Sequence, residues 1–210
     1  SFDIDFEITT TKDKHKWLRA IGTPLISGGK CIKVYGSYQD ITETKLASEK
    51  IEHTNRLYEF ITAVNDLVIH AENELDLYKG VGKVAVEIGN FKLVWVAKVN
   101  MQTHEVVGIT SEGADEGYFS KAKEDTSYVV QQQKETFIKQ LKNNEIIVCN
   151  NILQSDLPGT LKNRAVEHGF NSFITLPVNA QGKLFSFIVL YSVNTNSFDD
   201  NEVKLLKDAV

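Results

Sequence analysis

The sequence predicts an α+β protein: an antiparallel β-meander, a long linker helix, and a central antiparallel sheet flanked by helices. Three observations carry this. Residues 2–9 alternate, with Phe2, Ile4, Phe6 and Ile8 set against Asp3, Asp5, Glu7 and Thr9; a period of two is a strand with one wet face. Residues 42–71 contain neither Gly nor Pro and carry apolar residues at helical spacing. From residue 74 onward, helical and strand patterns interleave.

The elements follow in order. Thr11-Lys12-Asp13-Lys14 is a polar turn, residues 15–26 are a second strand, Gly28-Gly29 a turn and residues 31–41 a third strand. Sequential strands joined by tight turns make a meander. Asp40-Ile41-Thr42-Glu43 then changes the period: Asp or Thr caps a helix start, and Glu43 complements its dipole. In the helix, Ala47, Ile51, Thr54, Tyr58, Ile61, Asn65 and Val68 are spaced 4-3-4-3-4-3, beside a second stripe of Leu46, Leu57, Phe60, Val64 and Leu67. The first stripe is heptad-like and predicts a parallel homodimeric coiled coil, with polar Thr54 and Asn65 setting register. The simpler alternative is a single amphipathic helix packed on its own domain.

Further on, residues 74–87 read as a helix despite Gly80 and Gly82, and Phe91 to Val99 as a strong strand. Val106 to Ile109 is a short strand, 111–131 is irregular and polar, 134–143 a helix, and Ile146 to Cys149 a strand. A short helix at 160–168, strands at Ser172–Val178 and Leu184–Val193, and a terminal helix opened by Ser197-Phe198-Asp199-Asp200 complete the chain. The expected organisation is residues 1–42, a linker helix at 43–70, and a domain at 71–210.

Composition narrows function. The chain is 42% hydrophobic and 24% charged, with 28 acidic against 23 basic residues and a net charge of −5. There is no dense Lys/Arg block, so nucleic acid is not an expected partner. No apolar run approaches the ~20 residues of a membrane helix, and no signal peptide opens the chain, so no membrane contact and a cytoplasmic location are expected. The missing initiator Met suggests a piece of something longer. Cys31 and Cys149 are expected to be buried and reduced.

The titratable side chains give no warrant for catalysis. His15, His53, His70, His104 and His168 form no i, i+4 pair, and there is no CxxC, so no metal site is expected. His53 follows Glu52 but no nearby Pro follows, so a solvated helix position is expected rather than a phospho-acceptor. No GxSxG elbow and no phosphate loop is present. No catalytic residue is assigned.

Trp17-Leu18-Arg19-Ala20, the turn at Gly28-Gly29-Lys30, and Tyr35 through Glu43 with its Asp40-Ile41-Thr42 triplet resemble the C-terminal part of a PAS domain. That resemblance implies that Asp40, Thr42 and Arg19 relay a signal where the last strand meets the output helix, with Asp40 accepting backbone N–H groups and pairing with Arg19. Phe91–Val99, Glu145–Ile152, Gly169-Phe170-Asn171-Ser172 leading to Leu176-Pro177-Val178, Gly182–Ser192, and Phe198-Asp199-Asp200-Asn201-Glu202 resemble a GAF domain, with Ser186 where glycine is usual. Together these resemblances imply a sensory module of a bacterial signalling protein, such as a two-component histidine kinase or a cyclic-dinucleotide enzyme. The fragment itself would be non-catalytic. A ligand-free GAF dimerisation module is the alternative.

The GAF resemblance also implies a small-ligand pocket between the sheet and a cap formed by residues 111–143 and 153–168. Its expected lining is Trp95, Tyr118, Phe119, Phe137 and Phe173, with Phe91 and Phe170 as further aromatic candidates and hydroxyls from Ser120, Thr126 and Ser127. Plain core packing is the competing reading of the same rings. Residues 111–143 lack Cys and Cys149 is followed by Asn150, so no attached bilin is expected. Asn194, Asn196, Phe198, Asp199 and Asp200 match the family's cyclic-nucleotide pattern only partly, since its Lys is missing; the acidic pair reads as a helix cap. The ligand's identity is left open.

Overall fold

The computed structural model describes residues 1–100, 102–103, 105–114, 117–118, 131–180 and 182–208. It divides into two compact units, Ser1–Thr54 and Asn55–Val210.

The first unit is a three-stranded antiparallel meander in the order β1-β2-β3, formed by β1 (Phe2–Thr9), β2 (His15–Ser27) and β3 (Lys30–Asp40). Phe2 faces Gly22, Ile4 faces Ala20 and Phe6 faces Leu18, so the alternation read from β1 lines up one apolar face. Within this sheet Ala20 is the buried hydrophobic residue, and every residue of β3 is exposed. Cys31 is therefore exposed, not buried as expected: a strand with no layer against it has no interior to offer a small apolar side chain.

Helix α1 (Thr42–His70) runs from the first unit into the second. Its two stripes separate only in part, because Ile61 of the heptad-like stripe packs with the second stripe. Leu57, Phe60 and Val64 are buried in the core, with Ile61 and Leu67 packed against it. Ile51, Tyr58 and Val68, from the heptad-like stripe, are exposed.

The remaining elements are α2 (Glu74–Glu87), β4 (Leu93–Val99), β5 (Val106–Gly113), α3 (Gln131–Lys142), β6 (Ile147–Cys149), α4 (Gly159–Glu167), β7 (Ser172–Ala180), β8 (Lys183–Ser192) and α5 (Asp200–Lys207). Strand β5 extends beyond the Ile109 expected from sequence, because Thr110 through Gly113 continue the antiparallel pairing with β4. The glycines of α2 serve close packing: a Cβ on Gly80 would stand 2.9 Å from a methyl of Leu67, and one on Gly82 would stand 2.7 Å from Cγ of Glu112. Glycine's cost inside a helix is offset by that approach.

The five strands form one antiparallel sheet in the order β5-β4-β8-β7-β6. Its period of two sorts side chains into two cores. Val94 and Val96 of β4, Ile188 and Leu190 of β8, and Ile174 and Leu176 of β7 meet α1, α2 and α5 on the helix side. Leu93, Ala97, Phe187, Val189 and Tyr191 point the other way, towards Leu141 of α3, Ile152, and Ala165 of α4. The terminal helix lies on the same side as α1, with Leu206 fully buried there. Among the described residues no helix is long and apolar enough to cross a membrane.

Candidate functional site

The cap side of the second unit is an aromatic cluster. Tyr118 is buried at 3% exposure, and Phe170 and Phe187 at 0%. The Tyr118 ring stands edge-on to Phe170 at 5.1 Å, to His168 at 5.2 Å and to Tyr191 at 5.4 Å. Phe173 adjoins Tyr191 at 5.6 Å. Trp95 and Phe137 both meet Phe187 edge-to-face, at 5.6 and 5.5 Å. These are the separations at which ring quadrupoles attract.

The strands place this cluster. Trp95 alternates with Val94 and Val96, and Tyr191 with Leu190, so both project from the cap face of adjacent strands β4 and β8. Gly169, with φ of 73°, closes α4 and turns Phe170 back beneath it, with the Phe170 N–H donating to the Ala165 carbonyl at 2.8 Å. His168 lies half-buried at the rim, its Nδ1 2.9 Å from the Arg164 carbonyl.

Two hydroxyls give the cluster polarity. Tyr118 Oη donates to Tyr191 Oη at 3.2 Å. Burial pushes the Tyr191 phenol above its usual range, opposed by its contacts with Tyr118 and Trp95. Across the sheet, Tyr78 of α2 donates to Ser186 of β8 at 2.7 Å, and burial raises this phenol to about 12. The serine noted as a departure from the glycine usual in the resembled family thus has a structural partner.

Of the expected lining residues, Trp95, Tyr118, Phe137 and Phe173 come together on the cap face. Phe119 lies outside the described residues, as do Ser120, Thr126, Ser127 and His104. Phe91 belongs to the opposite face: its ring contacts Phe60 at 5.8 Å and stacks on Phe198 at 6.3 Å within the helix-side core. The sequence reading missed Tyr191 and Phe187 at the centre of the cluster. Their signal was the alternation Phe187, Val189, Tyr191 along β8, hidden in a strand apolar at nearly every position.

In the first unit, the expected Arg19–Asp40 pair does not form. Arg19 Nε donates to Asp3 Oδ1 at 2.7 Å, while Asp40 pairs with Lys16 at 2.6 Å. The register explains it. Arg19 lies opposite Gln39 and Asp40 opposite Leu18, so Arg19 and Asp40 project from opposite faces of the sheet. Asp40 instead accepts the Thr42 N–H at 3.1 Å and the Thr42 hydroxyl at 2.6 Å, and Thr42 Oγ1 accepts the Trp17 N–H at 2.9 Å. Lys45, one turn into α1, pairs with Asp5 at 2.8 Å and lies over the Trp17 ring. Strand and helix are thereby tied through three side chains.

Hydrogen bonds from Lys16 and Thr42 lower the Asp40 carboxyl from 3.8 to about 2. A depressed carboxyl stabilises the folded junction at pH above its unfolded value of about 4, and that contribution is lost as pH falls towards 2. A carboxyl-carbon NMR titration is expected to give Asp40 a midpoint near 2, moved upward by Lys16→Ala. A midpoint at the ordinary 3.8 would contradict the junction geometry.

Among the described residues no group of three His, Cys, Asp or Glu side chains is placed to hold a metal ion.

Comparison with known proteins decides the family. Residues 71–209 match the family model described as GAF domain. This chain belongs to the GAF domain family. No curated protein matches it. Among solved structures, it is similar to a domain described as part of a two-component sensor histidine kinase protein from Sinorhizobium meliloti, with 14% identity and a TM-score of 0.51 over 66% of this chain and 86% of that one. It is also similar to the third GAF domain of Slr1393 from Synechocystis, in its photoproduct state, at 14% identity and a TM-score of 0.52 over 65% and 88% of the two chains. A third is the free methionine-R-sulfoxide reductase of Neisseria meningitidis with its substrate, at 12% identity and a TM-score of 0.51 over 73% and 83%. At these identities the likeness establishes the fold.

Proposed function

We propose that this GAF domain is the sensory part of a cytoplasmic signalling protein, and that its cap-side aromatic cluster takes up a small, non-covalent ligand. The observation that carries this reading is the Tyr118–Tyr191 hydroxyl pair set among rings between sheet and cap. An apolar chamber with a few oriented polar groups is the usual make-up of a small-molecule site. Displacing Tyr118 would expose Tyr191 Oη to a ligand and release the Tyr118 contact with Phe170 and α4's end.

In this reading the meander at 1–42 is the C-terminal part of a PAS domain, and Asp40, Thr42 and Trp17 fix the start of α1. Arg19 braces β1 through Asp3 and acts there only indirectly. The exposed stripe of α1 pairs with a second copy in parallel, and the output reaches an effector of the histidine kinase or cyclic-dinucleotide class. The unit is non-catalytic in this reading. Because a similar fold is found in a reductase, that part rests on this chain's own residues. Cys31 sits on an exposed strand of the first unit, and Cys149 is half-buried at the end of β6 in the second.

A second reading, a ligand-free dimerisation module, is favoured by the complete burial of Phe170 and Phe187. Thermal-shift measurements with cyclic AMP, cyclic GMP, benzoate and indole-3-acetate separate the two. A ligand at about 100 times its Kd stabilises by about 2.7 kcal/mol, which is a rise in Tm of ~5–10 °C for a chain of this size. The sensory reading expects such a rise with one probe, lost in Tyr191→Phe, which removes the hydroxyl that displacement of Tyr118 would expose. No rise with any probe at millimolar concentration favours the dimerisation module.

A further inference from the structure

We infer that Asn150 and Asn171 form a joint through which the cap-side core sets the position of the terminal helix α5; this deepens the relay reading above and rests on it for its use in signalling. The Asn150 side chain brackets the backbone of Phe198. Its Nδ2 donates to the Phe198 carbonyl at 2.8 Å, and its Oδ1 accepts the Phe198 N–H at 3.0 Å. Its own carbonyl accepts the N–H of Asn196, a residue held at φ of 55°. Asn171 grips the same segment one step earlier: its Nδ2 donates to the Val193 carbonyl and its N–H to the Ser192 carbonyl at 2.9 Å. Ser172 Oγ donates to the Asn194 carbonyl at 2.7 Å. The lead-in to α5, residues 193–198, thus hangs from two side-chain amides and a hydroxyl at one end of the sheet.

Both asparagines are chain neighbours of the cap core. Asn171 follows Phe170, and Asn150 lies two residues before Ile152, both residues at 0% exposure. The Ile152 N–H donates to the Asn171 carbonyl at 2.9 Å, which joins the two anchors to each other. On the far side, Phe198 belongs to the helix-side core, where its ring stacks on Phe91 and Phe91 meets Phe60 of α1. Asp199 then opens α5 with a capping box, accepting the N–H groups of Asn201 and Glu202 at 3.0 Å. A shift of Phe170 on losing Tyr118 therefore has a hydrogen-bonded route around the sheet's end to Phe198, which leads into α5 and reaches Phe60 of α1 through Phe91. An asparagine amide suits this role because it donates and accepts at once, copying a backbone pair. Position along a path is by itself only association; the physical content is a coupling between cap and helix that vanishes when the joint is cut.

The experiment is hydrogen exchange by mass spectrometry on the full chain, comparing wild type, Tyr118→Ala, Asn150→Ala and the double variant. No ligand is used, so a failed thermal-shift screen leaves this result standing, and a failed coupling leaves the screen standing. With the joint intact, Tyr118→Ala is expected to speed exchange of the α5 amides by roughly three- to tenfold, the scale of one lost hydrogen bond, with less change in β8. With Asn150→Ala, α5 exchanges fast from the start, and Tyr118→Ala adds less than about twofold. Equal responses of α5 in both backgrounds overturn the inference. So does an unresponsive α5 in the Tyr118 single variant, or an equal acceleration of β8, which is global destabilisation. Asn150→Asp keeps the oxygen that accepts from Phe198 and loses the donor; it replaces Asn150→Ala if that variant does not fold, and the cycle is read in the same way.

Discussion

Truncating Phe170 to alanine is expected to cost about 3–5 kcal/mol of folding stability, the range for a large aromatic removed from a packed core. The ring is fully buried and meets Tyr118, His168 and Tyr191 at 5.1, 6.0 and 4.9 Å. The loss combines the transfer of one ring to water with the cavity left behind, since sheet and cap are both anchored and cannot collapse freely. Tyr118→Phe is the matched mild change: it keeps the ring and removes one hydroxyl pair, costing about 0.5–1.5 kcal/mol. Urea denaturation followed by circular dichroism measures both. The contrast also bears on function. If Phe170→Ala were to cost under about 1 kcal/mol, the cap would be loosely held, and the cluster would already be open to a ligand without displacement of Tyr118. If the cost lies in the expected range, ligand entry must work against packing of that strength, and only a ligand that restores the ring contacts can bind well.

Much of the fold was legible because it rests on local patterns. β1 ends where its alternation ends, at Thr9, and α2 spans Glu74–Glu87 as its periodicity indicated. The helix-side core was legible only in part: Leu57, Phe60, Val64 and Leu67 share one helix face, but their spacing alone did not say whether that face meets the domain or a partner helix. What escaped depends on register between strands distant in sequence. Arg19 was paired with Asp40 because it stands on the neighbouring strand, yet their faces differ by one residue of register. Phe91 looked equivalent to Trp95, but it precedes β4 and enters the other core. Tyr191 was invisible as a site residue because β8 is apolar on both faces, as a central strand is, and alternation carries no label for which face meets the cap. Asn150 and Asn171 lie in segments that carry the family resemblance, but nothing in the sequence marked their side chains as anchors. Their meaning lies in contacts with residues 48 and 22 positions away.

Replacing Ile51 with lysine is expected to abolish dimerisation. The seam proposed for α1 is Ala47, Ile51, Thr54, Tyr58, Ile61, Asn65 and Val68, and the exposures of 61% at Ile51, 53% at Tyr58 and 59% at Val68 leave apolar surface that the protein's own core does not use. In the heptad, Ile51, Tyr58 and Asn65 take the a positions. An asparagine at a is the device that favours a parallel, in-register pair at some expense of stability. Lysine at residue 51 would place two like charges against each other in a dry seam, a cost of about 3–5 kcal/mol and so a rise in Kd of roughly two to four orders of magnitude. Sedimentation velocity of wild type and Ile51→Lys tests this, with Glu59→Lys as the control, since Glu59 is exposed and off the seam. Ile61→Lys is a poorer probe, because Ile61 packs against the second unit's core and its loss confounds fold with association. Orientation is read separately. In a Cys31→Ser background, which removes an exposed thiol, Val68→Cys is expected to oxidise to a linked dimer, because a parallel pair brings the two residues 68 within the Cα separation of ~7 Å that a disulfide requires. An antiparallel pair would hold them tens of ångströms apart along helices that rise ~1.5 Å per residue. Efficient dimerisation without that crosslink would overturn the parallel arrangement. A wild type that sediments as a monomer at its highest soluble concentration would overturn the seam itself and leave the exposed stripe as surface for another partner.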